Sequence, residues 1–159
     1  MESFFIWLEE RPISLAIAQS STLYGFALVL VLHTIGIALT AGPAAVMSLR
    51  LLGFGKPFPL SSLRTLFTFF WVGFIANAIT GILLFMMAAS QTGYKPMYYA
   101  KLLCLLLALL TLRPIRKAID SDSPDIDPDV SSRLKTLALL SLVLWAGVIT
   151  SGRLIAYTK

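Results

Sequence analysis

Apolar residues occur along this chain in long, nearly continuous runs. From Pro12 to Leu49 the sequence contains no Asp, Glu, Lys or Arg, and three more apolar runs follow. A helix needs about 20 mostly apolar residues to cross a hydrocarbon core of about 30 Å. The pattern therefore predicts spanning helices over about 22–48, 62–89, 96–113 and 131–157.

The segments between these runs predict the rest of the architecture. Residues 3–19 are apolar but interrupted by Glu9, Glu10 and Arg11, which predicts an amphipathic helix at the membrane interface with Trp7 as an anchor. Gly42-Pro43 is expected to kink or end the first span. The aspartate-rich stretch 114–130 predicts a solvated loop. The fold class is all-α, a single integral membrane domain (1–159) forming a four-helix bundle with an N-terminal amphipathic interfacial helix.

Composition supports a chain whose solvent is lipid. Hydrophobic residues make up 57% and charged residues 13%, and the mean hydropathy is +0.82, whereas soluble domains are about one quarter charged. The net charge of +5 comes from basic residues that flank apolar runs, so topology explains it without a nucleic-acid partner. Cys104 is the single cysteine, which excludes an intrachain disulfide.

The distribution of Lys and Arg predicts the orientation. An even number of spans puts both termini on one side. The loops after the first and third spans hold the larger set: Arg50, Lys56, Arg64, Arg113, Arg116, Lys117, Arg133 and Lys135. The other side holds the smaller set: Arg11, Lys95, Lys101, Arg153 and Lys159. The positive-inside rule then places both loops in the cytoplasm and both termini in the periplasm of a bacterial inner membrane.

Polar residues within spans are costly, which makes each one a functional candidate. His33, the only histidine, lies roughly 16 Å along the first span at 1.5 Å per residue, near the membrane centre. Asn77 lies near the middle of the second span. Lys101 and Arg153 lie in the half of the third and fourth spans that is predicted to be outermost.

Small residues share helix faces with these polar residues. Gly25, Gly36 and Thr40 lie on the face of His33. A second stripe consists of Gly73, Asn77, Thr80 and Gly81. Small residues allow helices to approach closely in lipid, so His33 and Asn77 are predicted to point into the bundle.

One interpretation of these residues is a site for haem b. The neutral imidazole of His33 would be an axial ligand of the haem iron. Lys101 and Arg153 would hold the propionates, and Asn77 would orient the group or line its pocket. A single histidine leaves the second axial position to a partner subunit, to a five-coordinate iron, or to Met86, Met87 or Met97.

Two other interpretations remain open. His33 with soft methionine ligands would suit copper handling or transport of a small solute; the candidates are Met47, Met86, Met87 and Met97. In a purely structural role, His33 would hydrogen-bond Asn77 or a hydroxyl, while Lys101 and Arg153 would pair with Glu9 or Glu10. The sequence contains no hydrolase, dinucleotide or phosphate-loop motif, so an enzyme is not expected.

Several segments together resemble a family of bacterial four-span inner-membrane proteins known only as a domain of unknown function. They are LHTIGIALTAG (32–42), SLRLLG (48–53), TGILLF (80–85), KLLCLLLALL (101–110) and ITSGRLIAY (149–157). This resemblance implies no established activity, and it implies His33, Lys101 and Arg153 as the polar positions of interest. More distantly, the bundle is similar to membrane cytochrome b-type subunits and copper-resistance membrane proteins.

The function expected from the sequence is therefore a non-catalytic membrane subunit that binds a cofactor, with haem b as the candidate, in electron transfer or as a membrane anchor. The expected binding residues are His33, Asn77, Lys101 and Arg153. Besides the lipid bilayer, the expected partners are a redox subunit or further copies of the chain. The alternatives are a transport protein and a structural or assembly subunit.

Overall fold

The computed structural model describes residues 2–20, 24–55, 60–120 and 131–157, and every regular element in these ranges is helical. This confirms the all-α prediction. The predicted aspartate-rich loop lies largely outside the described residues. In chain order the elements are α1 (Glu2–Glu9), α2 (Pro12–Ala18), α3 (Phe26–Leu51), a 3-10 turn (Leu60–Leu63), α4 (Arg64–Met87), α5 (Ala89–Thr92), α6 (Pro96–Asp120) and α7 (Ser132–Leu154).

Four of the helices are long and apolar enough to cross a membrane: Phe26–Leu51, Arg64–Met87, Pro96–Lys117 and Ser132–Leu154. Only 22% to 33% of the central window of each is buried inside the bundle. The remaining surface is dominated by exposed aliphatic side chains such as Val31, Val72 and Leu103. An apolar surface of this extent is unfavourable in water and suits contact with acyl chains.

The four long helices form a bundle with one open side. α3 packs along α4, α6 packs along α7, and α3 also contacts α7. In the described part of the chain, α4 and α6 are not in extensive backbone contact with each other. The surface between α4 and α6 is therefore an open seam, which we call the α4/α6 seam.

The apolar core occupies one half of this bundle. It joins the C-terminal halves of α3 and α6 to the N-terminal half of α4 and to the middle of α7, from Ala138 to Val148. Phe70 and Met47 are fully buried there, and the Phe70 ring meets Trp145 edge to face with centroids 5.7 Å apart. The opposite half of the bundle contains His33, Asn77 and Lys101.

α3 and α4 pack closely through glycines of the two small-residue stripes. A Cβ added at Gly36 would lie 2.9 Å from the backbone nitrogen of Asn77. A Cβ added at Gly73 would lie 2.6 Å from Leu39 Cβ and 2.7 Å from its carbonyl carbon. Glycine at both positions lets the two backbones pack directly against each other.

This contact also explains why the first span does not end at Gly42-Pro43. α3 continues through Pro43 to Leu51. Pro43 has no N–H, so the carbonyl of Leu39 lacks its usual helical donor. Gly73 of α4 packs against that carbonyl, in a position where neighbouring helices commonly stabilise a proline within a span. α6 likewise continues through Pro114 to Asp120, beyond the predicted end at residue 113.

The N-terminal segment forms two short helices instead of the single predicted one, with a break at Glu10–Arg11. The guanidinium of Arg11 lies 3.3 Å from the centroid of Trp7, so the break is stabilised by a cation–π contact. Phe5 is buried and meets Phe85 and Tyr94 edge to face. These helices therefore pack on the end of α4 and on α5.

Replacing Gly73 tests the α3–α4 contact. We expect Gly73→Ala to destabilise the bundle by about 1–3 kcal/mol, because its Cβ must displace backbone atoms of Leu39. Gly42→Ala is the matched control, since a Cβ there meets nothing within 4 Å and gains helix propensity. Thermal unfolding in detergent, followed by a thiol-reactive dye at Cys104, measures both; equal midpoints would contradict the packing.

Candidate functional site

The His33 imidazole is held in one orientation by Thr80. Nδ1 of His33 lies 3.0 Å from Oγ1 of Thr80. That hydroxyl has a single proton, which it donates to the carbonyl of Ala76 at 2.7 Å, with the Asn77 carbonyl at 3.2 Å as the alternative acceptor. The shorter distance to the Ala76 carbonyl favours the arrangement in which Thr80 accepts from His33, with the imidazole proton on Nδ1 and the lone pair on Nε2.

Gly81 provides the space for this ring. A Cβ at Gly81 would lie 3.2 Å from Cε1 and 3.7 Å from Nδ1 of His33. Thr80 and Gly81 therefore determine both the tautomer and the position of the imidazole. A histidine whose proton is used by a neighbouring side chain presents its second nitrogen to a metal or to a hydrogen-bond donor.

Asn77 lies one helical turn before this pair. Its side chain is 7% exposed, and its Oδ1 is buried without a hydrogen-bond partner among the described residues. A buried amide oxygen without a donor costs free energy of about 1–3 kcal/mol. A ligand or a water that donates a hydrogen bond would remove this cost.

Lys101 approaches the same region from α6. Its side chain is half-buried, and its Nζ, Cε and Cδ each lie 3.7 Å from the position of a Cβ on Gly152 of α7. One turn earlier, Tyr98 stacks on Phe85 with ring centroids 4.9 Å apart and planes 13° from parallel. This stacked pair connects α6 to α4 at the end of the seam.

His33, Asn77 and Lys101 line one cavity of about 220 Å³ in the α4/α6 seam. Its polar groups are contributed by α3, α4 and α6, and its remaining wall is aromatic or aliphatic. The lining residues are His33, Phe74, Asn77, Ala78, Gly81, Ile82, Phe85, Tyr98, Lys101, Leu102 and Leu105. We call it the His33 cavity.

Three of the four predicted binding residues therefore line the same cavity. His33, Asn77 and Lys101 line the cavity, whereas Arg153 is exposed near the end of α7 and does not line it. Thr80 and Tyr98 were not predicted as site residues. The spacing of Thr80 from Asn77 placed it on the same helix face, but which hydroxyl would meet His33 depends on the register of α3 against α4.

The other predicted partners lie elsewhere. Met47 is fully buried in the apolar core, and none of the methionines considered for copper lines the His33 cavity. In residues 2–20, 24–55, 60–120 and 131–157 no group of three or more His, Cys, Asp or Glu is placed to hold a metal ion. Glu9, considered as a partner for Lys101, accepts hydrogen bonds from the backbone nitrogen and hydroxyl of Ser90 at 2.8 and 2.7 Å.

The fold and the site together define a class: a small bundle of four membrane-length helices with a polar cavity on its open side. The chain belongs to the family of unknown function DUF6644, whose family model matches residues 4–158. No similar protein was found among curated proteins or among solved structures.

Replacing Thr80 tests the tautomer of His33. We expect the single imidazole of the wild-type protein to show the Nδ1-protonated pattern in ¹⁵N NMR spectra, and Thr80→Val to lose it. The same variant should lose about 1–3 kcal/mol of stability, because it leaves a buried donor unpaired. Thr80→Ser retains the hydroxyl and should behave as wild type. An unchanged spectrum in Thr80→Val would contradict the assignment.

Proposed function

We propose that this protein is a non-catalytic membrane subunit that binds a lipid-soluble cofactor of the quinone–quinol class in the His33 cavity. The observation that carries the proposal is a cavity lined by an imidazole, an ammonium group and Asn77, whose Oδ1 is buried without a partner among the described residues. A cavity with these groups suits a small polar head on an apolar body.

The position of the cavity favours a ligand that arrives through the bilayer. α4 and α6 are separated along their backbones, so a molecule dissolved in lipid could enter between them without passing through water. The stacked rings of Phe85 and Tyr98 lie at one end of the opening. Phe74, Phe85 and Tyr98 offer aromatic surfaces against which a planar ring could pack.

The polar groups match the two redox forms of such a head group. Lys101 can donate a charge-assisted hydrogen bond to a carbonyl oxygen. Nε2 of His33 and Oδ1 of Asn77 can each accept a hydrogen bond from a hydroxyl. A quinone offers carbonyl oxygens, to which Lys101 can donate, and a quinol offers hydroxyl groups, which can donate to His33 and Asn77. Each redox form would therefore be bound by a different part of this set.

Haem b remains the second candidate, because the tautomer of His33 leaves Nε2 available to ligate iron. Two observations favour a smaller head group. The cavity of about 220 Å³ is below the range of about 300–1,000 Å³ that is usual for small-molecule sites. Arg153, the second residue expected to bind a propionate, is outside the cavity lining.

The cellular setting belongs to the same proposal. The excess of Lys and Arg in the loops after α3 and α6 supports a bacterial inner membrane with both termini in the periplasm. The His33 cavity would then lie in the periplasmic half. A subunit that binds a redox cofactor without catalysing a reaction needs a redox partner, either another subunit or a second copy of the chain.

Binding of a short-tailed benzoquinone to purified protein in nanodiscs tests the main proposal. We expect Lys101→Met to weaken binding about 10- to 100-fold, the factor for a lost hydrogen bond to a charged group, and Asn77→Leu to weaken binding of the quinol form. Isothermal titration calorimetry gives the dissociation constants.

Two matched controls separate the cavity from general charge effects. Lys95→Met removes the same charge six positions earlier, where Nζ donates to the carbonyl of Ile155 at 2.8 Å. Arg153→Gln removes a positive charge that lies outside the cavity lining. Both should bind like wild type. Absence of binding to the wild type, or equal loss in the controls and in Lys101→Met, would reject the site.

An absorption spectrum distinguishes the two cofactors. With a quinone-type ligand, protein purified from haem-replete cells should show no Soret band, because no chromophore of that kind is bound. With haem b it should show a Soret band that His33→Ala removes and Arg153→Gln weakens. A Soret band that depends on His33 would therefore replace the main proposal with the second candidate.

A further inference from the structure

The α4/α6 seam continues beyond the His33 cavity as a second depression, which we call the arginine groove. It has a volume of about 480 Å³ and lies towards the start of α4 and the end of α6. It shares no lining residue with the His33 cavity. Its lining residues are Phe67, Trp71, Leu106, Leu109, Leu110, Leu112, Arg113 and Arg116.

Two of the helices that are long enough to cross a membrane form the apolar wall of this groove. Phe67 and Trp71 belong to the span Arg64–Met87, and Leu106, Leu109 and Leu110 belong to the span Pro96–Lys117. Trp71 is 42% exposed and Leu106 is 57% exposed, so both side chains face outward. At this depth the surrounding solvent is hydrocarbon, and the natural occupant of an apolar groove is an acyl chain.

Two arginines line the end of the groove. Arg113 is exposed, and Arg116 lies with its guanidinium carbon 5.5 Å from the centroid of Phe67. The single carboxylate in the described part of this end, Asp120, accepts from Arg116 at 3.3 Å and lies 3.8 Å from Arg64. Lys117 lies beside Arg113, Arg116 and Asp120.

We propose that the arginine groove is a binding site for one anionic phospholipid. An acyl chain lies against Trp71 and Leu106, and the phosphate group lies between Arg113 and Arg116. Guanidinium groups bind phosphate oxygens through paired, charge-assisted hydrogen bonds. An apolar groove with clustered basic residues at its membrane-interface end is therefore complementary to both parts of such a lipid.

The site is independent of the proposed cofactor. It depends on different residues in the other half of the seam, so failure of quinone binding leaves it intact. A lipid held there would also fill the space between α4 and α6, whose backbones are not in extensive contact. We therefore expect the bound lipid to stabilise the bundle.

Native mass spectrometry of protein from nanodiscs that contain equal amounts of phosphatidylglycerol and phosphatidylcholine tests the head-group preference. We expect one phosphatidylglycerol to be retained in preference to phosphatidylcholine. Arg113→Gln and Arg116→Gln should each reduce this preference about fivefold, the factor for losing one charge near an anionic lipid. Arg133→Gln, at the same end of the bundle but outside the groove, should not change it.

A second measurement follows the acyl chain and needs no charge variant. Phosphatidylglycerol with brominated chains should quench Trp71 more than brominated phosphatidylcholine at the same mole fraction, and Trp71→Phe should abolish this difference. Leu106→Trp, which narrows the groove but retains both arginines, should lower lipid retention. Equal retention of the two lipids, or equal quenching by them, would overturn the proposal, as would the same loss in Arg133→Gln as in Arg113→Gln.

Discussion

The rest of the structure depends on the direct backbone contact between α3 and α4. Gly36 lies against Asn77, and Gly73 lies against the carbonyl of Leu39 that Pro43 leaves without a donor. In lipid, where no water can satisfy a free carbonyl, this contact allows the first span to continue through a proline. The same contact sets the register that brings His33 to Thr80.

Three pairs of the long helices pack along each other, and a fourth pair, α4 and α6, borders the open side of the bundle. α3 packs along both α4 and α7, and α7 packs along α6, whereas the backbones of α4 and α6 are not in extensive contact. The resulting seam has two chemically different halves, a polar cavity around His33 and an apolar groove that ends at Arg113 and Arg116. Both halves lie between helices that are long and apolar enough to cross a membrane, which is why both proposed ligands are lipid-soluble molecules with polar heads.

Sequence patterns predicted much of this arrangement, and their failures have clear causes. The spacing of small and polar residues in α3 and α4 identified the contacting faces, because helical periodicity relates sequence directly to a face. The pattern left open whether the first span would kink or end at Gly42-Pro43, since the contact beside Pro43 is made by Gly73 on another helix. Arg153 appeared equivalent to Lys101 in depth, yet only Lys101 lines the cavity, because depth does not determine the direction of a side chain.

The sequence alone determined that the chain forms four membrane-length helices and that an imidazole, an amide and cations lie within or near them. These properties follow from hydropathy and from the 1.5 Å rise of a helix, which are local. Only the tertiary structure decided that Thr80 assigns the proton of His33, that Oδ1 of Asn77 has no partner, and that α4 and α6 leave a seam. These features depend on the register and separation of helices that are distant in the chain, and in lipid such packing is set by shape more than by hydrophobicity.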